Sequence, residues 1–154
     1  MLDSQRRVPL AARWLGGLGV IPFAGLAMIE ALQPGWIAPT VLSLAGVGLI
    51  AYGAVILSFL GGVHWGLAIA QYGGFDAGPG FRRLTLSVIP SLVAWVALLV
   101  PVEPAFFLLG ASFLIWLGVD WITSRHEEAP AWYPALRVPL TSAVIACLAV
   151  GWLA

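Results

Sequence analysis

His64 and Asp120 are the residues whose chemistry fits least with their surroundings. His64 lies in Phe59-Leu-Gly-Gly-Val-His-Trp-Gly66, within a stretch from Thr40 to Gln71 that holds no Asp, Glu, Lys or Arg. A buried polar side chain in such a setting needs a partner. Asp120 lies near the end of another apolar run, just before Trp121 and Arg125. An Asp at the centre of a membrane helix costs about 2.5–3.5 kcal/mol, less near the interface, and a helix C-terminus disfavours an anion further. A cation would relieve both terms. Arg13 and Arg137 each open an apolar run at a depth close to that of Asp120, and His64 falls one to two turns deeper. The residues therefore predict a polar cluster of His64, Asp120 and one of Arg13 or Arg137. At helical spacing His64 shares a stripe with Leu57, Leu60, Gly61, Leu67 and Gln71, so Gln71 joins the same face and Gly61 is expected to leave room beside the imidazole. Such a cluster is either a small binding or proton-accepting site or a hydrogen-bond network that fixes packing. The packing role is the commoner one.

Little other chemistry is written in the chain. Its histidines are His64 and His126, and the lone Cys147 has no partner for a disulfide, so no metal motif is expected and a bis-His haem is disfavoured. There is no Ser nucleophile elbow, zinc-protease motif or P-loop, and no Lys to carry retinal. No catalytic residue and no cofactor are assigned. The net charge is zero and no basic patch alternates with aromatics, so nucleic acid is not an expected partner.

The elements that must hold these residues are membrane helices. Charged residues are 9% of the chain, against roughly 25% in soluble domains, hydrophobic residues are 61%, and mean hydropathy is +0.99. A chain of 154 residues has no interior large enough for that much apolar surface. Crossing the hydrocarbon takes about 20 residues. On that measure the chain reads as an all-α polytopic bundle, a single transmembrane domain over 1–154. Its five helices fall at about 9–30, 40–71 (long, or broken near Gly46 and Gly48), 84–100, 105–122 and 138–154. Arg6, Arg7, Arg13, Arg82, Arg83, Arg125 and Arg137 all flank one side of these runs, while the other two loops hold no cation. The positive-inside pattern then puts the N-terminus inside and the C-terminus outside, with Glu30 and Glu103 at the outer face. A cleaved signal peptide in place of the first helix is a poorer fit, because that run is rich in Gly and interrupted by Pro. Trp95 and Trp116 are expected to be packing residues.

Ala54, Ser58, Gly62, Gly66 and Ala70 recur every fourth residue, which predicts a close helix contact. The first helix offers Gly16, Gly17, Gly19 and Gly25, and the third offers Ser87, Ser91 and Ala94 beside Pro90. Part of such a ridge is also a candidate homodimer face.

Three stretches together resemble a known family: Tyr52-Gly-Ala-Val-Ile-Leu-Ser-Phe-Leu-Gly-Gly-Val-His-Trp-Gly66, Ser87-Val-Ile-Pro-Ser91, and Trp132-Tyr-Pro-Ala-Leu-Arg137 with Pro139-Leu-Thr141. It is an uncharacterised domain-of-unknown-function family of small polytopic membrane proteins, one that includes the mitochondrial transmembrane protein sixty-nine. The resemblance implies a multi-helix inner-membrane protein and carries over no catalytic residue. The expected function is a non-enzymatic accessory or assembly component of the bacterial cytoplasmic membrane, in contact with lipids and within a homo-oligomer or larger complex. The alternative is a small oligomeric carrier or channel component that uses the His64 face. An intramembrane enzyme acting on a lipid or quinone is the weakest reading.

Overall fold

The computed structural model describes residues 7–73, 78–126 and 128–154, so Arg6 lies outside the described residues. The described residues form six helices and no strand: α1 (Leu10–Leu18), α2 (Ile21–Leu32), α3 (Pro39–Tyr72), α4 (Pro79–Ala97), α5 (Val102–Arg125) and α6 (Tyr133–Leu153). Prolines in the first turn open α2, α3, α4 and α6, where a missing N–H costs nothing. Gly78, at φ 86°, provides the left-handed residue from which α4 starts.

The first apolar run is broken, and the second keeps the long form of the two expected for it, with no break at Gly46 or Gly48. α1 and α2 part at Gly19 and Val20. Pro22 has no N–H to give the carbonyl four residues back, and the glycines before it add backbone freedom. The Tyr52 hydroxyl of α3 donates to the Gly19 carbonyl at 3.0 Å, satisfying a group the break would leave bare. α3 runs unbroken for 34 residues, about 51 Å at 1.5 Å per residue, longer than the roughly 30 Å hydrocarbon layer. Gly46 and Gly48 instead seat α2, facing Glu30 and Leu26.

Among the described residues, four segments are long and apolar enough to cross a membrane: Leu10–Leu32 taken through its break, Pro39–Tyr72, Val102–Arg125 and Tyr133–Leu153. The run expected at 84–100 is α4, whose first turns carry Arg82 and Arg83; it is not among the four. It packs along α3 more extensively than any other pair of helices pack together. Its small face makes this possible: a Cβ at Gly61 would lie 2.5 Å from the Ser87 carbonyl oxygen and 3.2 Å from Pro90, and Ser87, Pro90, Ala94 and Ala97 are all buried.

α3 is the centre of the bundle, touching α2, α4, α5 and α6, while α1 rests mainly on α6. Phe23, Leu49, Leu57, Leu109 and Phe113 fill the core. At the end away from the arginines, Gly151 of α6 sits so close to Leu49 and Phe106 that a Cβ there would come within 2.6 Å of the Leu49 Cδ1. Large apolar side chains such as Trp14, Leu15, Phe59 and Leu114 cover the outside, a surface that lipid solvates. Trp95, expected to pack, faces outward at 60% exposure, whereas Trp116 is buried.

Candidate functional site

His64, Asp120 and Arg137 meet in the interior. His64 Nε2 lies 2.8 Å from one Asp120 oxygen, and Arg137 Nε donates to the other at 2.6 Å. Asp120 is fully buried, and His64 and Arg137 are 7% and 6% exposed. A carboxylate accepts only, so with Asp120 ionised beside the guanidinium the His64 Nε2 carries the proton and donates. Local sequence explains the convergence. His64 lies about two turns before the end of α3, Asp120 one and a half turns before the end of α5, and Arg137 one turn into α6. The short connection from α5 to α6 reverses the chain, so carboxylate and guanidinium face each other at one depth. The Trp116 ring, one turn back on α5, stands edge-on to the imidazole at 6.4 Å between centroids.

Of the two candidate cations, α6 supplies the partner. Arg13 is exposed and lines a surface cleft with Arg7 and the start of α6, including Ala135 and Pro139. The break at Gly19 leaves α1 on the outside of α6, buries none of its residues, and keeps Arg13 from Asp120. Gln71 is exposed, at the mouth of a narrow cleft that also reaches His64. The space beside Gly61, expected to receive the imidazole, is taken by α4. Of the fourfold ridge, Ala54 is buried and Ser58 half-buried, but Gly62, Gly66 and Ala70 are exposed, and nothing lies within 4 Å of a Cβ at Gly62 or Gly66. Four residues overshoot one helical turn, so the ridge winds away from the core after Ser58. The contact moves one position along, to Gly61.

A second polar group closes the same end. Arg83 of α4 pairs with Glu128 and donates to Thr123 Oγ1 of α5 at 3.1 Å. The Tyr72 hydroxyl of α3 donates to Glu128 at 3.0 Å. This clasp lies over the cleft from His64 to Gln71, whose free volume is about 10 Å³, the lower limit for one water. Glu128 and Thr123 were not singled out from the sequence. Thr123 had a visible cue, since it lies three residues from Asp120 on one face of α5. Glu128 had none, because its position depends on how a loop folds.

The arrangement can hold three helices in one register, and one side of it is not saturated. Arg137 Nη2, Thr141 Oγ1 and Trp116 Nε1 are buried without a hydrogen-bond partner. Arg137 and Tyr133 also line an apolar groove of about 320 Å³ between α1, α2, α3, α5 and α6.

Relatives of the chain carry names that state no activity. A protein of Xenopus tropicalis named Transmembrane protein 69 is 36% identical over 145 residues, covering 91% of this chain and 53% of the relative. A protein of the same name from Mus musculus is 29% identical over 147 residues, covering 92% and 53%. The chain thus spans about half the length of these curated relatives. No solved structure matches it. The model of a family described as "Protein of unknown function (DUF3429)" matches residues 8–153, from before α1 to the last residue of α6, and this multi-pass membrane protein belongs to that family.

Proposed function

We propose that the chain is a non-enzymatic accessory or assembly component of a larger membrane complex, built as a rigid helical bundle around the His64–Asp120–Arg137 cluster. The observation that carries this reading is the occupancy of Asp120: both carboxylate oxygens are taken by side chains from two other helices, in full burial. A carboxylate so engaged, and withdrawn from every surface, serves as a register lock between three helices. In the proposed topology α4 also crosses, which brings the crossings to five, supported by its close packing along α3, with the N-terminus inside and the C-terminus outside. The arginines Arg7, Arg13, Arg82, Arg83, Arg125 and Arg137 flanking one end support that orientation. The bacterial cytoplasmic membrane is the proposed location; all seven cations are Arg, a bias that a GC-rich bacterial genome would explain.

Native purification with mass spectrometry, comparing wild type and His64→Ala, tests the role. A stoichiometric protein partner that the variant loses is the expected result; a wild-type protein that purifies alone, from cells where it is functional, removes the accessory reading. Tags on the two chain ends test the topology, which fails if both are reached from one side.

One observation favours a second reading, a small oligomeric carrier or channel component. The cleft between His64 and Gln71 gives the imidazole a route toward the arginine-bearing surface. Its width suits a proton carried by a single water and no larger solute. Proton flux into liposomes that Tyr72→Phe or His64→Ala abolishes would support it.

A further inference from the structure

We infer that the surface cleft between α1 and α6 binds the headgroup of an anionic phospholipid of the phosphatidylglycerol class, with Arg13 as the main anchor for its phosphate. The cleft holds about 480 Å³ and is lined by Arg7, Val8 and Arg13 on one side and by Leu136, Pro139 and Leu140 on the other. That volume falls in the range of small-molecule sites. Its position follows from the way the two helices meet. A Cβ at Gly16 would lie 2.8 Å from Leu140 Cδ1 and 3.6 Å from Leu136 Cδ1, so α1 seats on α6 there. Leu136 and Leu140 run from this contact into the cleft, which opens toward the start of both helices.

Charge, chemistry and depth choose the occupant. Among the described residues that line the cleft there are two Arg and no Asp or Glu, so the complementary ligand is an anion. Both arginines are exposed, and a headgroup reaches them without opening the bundle. The break at Gly19 keeps Arg13 from Asp120 and leaves its charge at this surface. A guanidinium offers its N–H groups as a planar fork that matches phosphate oxygens. The facing wall is apolar. A free phosphate would leave it wet, whereas the first methylenes of a lipid cover it. Depth agrees with a lipid: α6 has 21 residues, about 32 Å at 1.5 Å per residue, so its first turns fall at the edge of the hydrocarbon. Trp14, beside Arg13, is largely exposed, and such rings favour the same level. The inference holds whether or not the chain joins a larger complex.

The test titrates the full chain in detergent with phosphatidylglycerol, or with phosphatidylcholine of the same acyl chains, and reads retained lipid by native mass spectrometry. One phosphatidylglycerol per chain is expected, held at least about tenfold more tightly than phosphatidylcholine. Arg13→Gln alters an exposed side chain and should leave the fold intact. It should cut the preference about fivefold, the share of one cation at an anionic lipid surface. Arg125 is exposed at the same end but lies over the Trp121 ring, outside the cleft, and Arg125→Gln should leave the preference unchanged. A folded wild-type protein with no preference overturns the inference, as does a preference that Arg13→Gln leaves intact. Equal losses in the two variants also overturn it, because they would show a diffuse attraction between arginines and anionic lipid instead of a site. Displacement of the lipid by millimolar inorganic phosphate overturns it in favour of a free anion.

Discussion

The two ends of the bundle treat a carboxylate in opposite ways. At the arginine-bearing end Asp120 is fully buried and has both oxygens bonded, by His64 and Arg137. Glu128, at the same end, has Arg83 and Tyr72. At the other end Glu30, near the close of α2, leans on Gly46 with its Oε2 unpartnered, and neither adjoining loop carries a cation. The end with Glu30 is held by shape instead, through Gly151 against Leu49 and Phe106. One end is thus fastened by directed polar bonds and the other by close packing. The sorting of arginines to one end of the bundle decides which end can use which device, because a buried carboxylate is best held where a cation can follow it.

The sharpest way to break this contrast is Asp120→Ala. It leaves the Arg137 charge buried without a counter-ion and should cost about 3–5 kcal/mol, read by reversible unfolding in mixed micelles. Adding Arg137→Met to it should recover part of that loss, since the stranded charge goes too; purely additive losses would mean the two side chains do not form one unit. Next comes Gly61→Ala, expected to cost about 1–3 kcal/mol, because the new methyl meets the Ser87 carbonyl oxygen, which is backbone and cannot step aside. Gly151→Ala at the opposite end should cost less, because the nearest atom there is the far end of a leucine. Gly62→Ala is the control, within about 0.5 kcal/mol of wild type, with open space at its Cβ. Tyr52→Phe should cost about 0.6–1.7 kcal/mol, the range of a single hydrogen bond between membrane helices. The smallest effect belongs to Glu30→Gln, within about 0.5 kcal/mol. A loss there as large as that of Asp120→Ala would show that the two ends are fastened alike.

His64 and Asp120 could be read directly from the sequence, because a polar residue inside an apolar run has few ways to be satisfied. The choice between Arg137 and Arg13 could not, since it turns on a break in the first run. The cues for that break were present in Gly16, Gly17, Gly19 and Pro22, but Gly46 and Gly48 offered a similar pattern in the second run. What separates the two cases is tertiary: Tyr52 reaches the Gly19 carbonyl, whereas Gly46 and Gly48 are pressed against α2 and stay helical. The fourfold ridge pointed to the right stretch of α3 and the wrong face beyond Ser58. Spacing alone locates a stripe, while the neighbour that chooses between Gly61 and Gly62 lies on another helix. The Arg83–Glu128 clasp had no linear trace, because loop residues carry no periodicity to align them.

The latch between Tyr52 and Gly19 also marks where the fold is easiest to open. α1 buries none of its own residues, rests mainly on α6 and forms one wall of the groove, so it is the cheapest part of the molecule to displace. Loosening the latch would let this wall swing off α6 while the polar cluster beneath it stays closed.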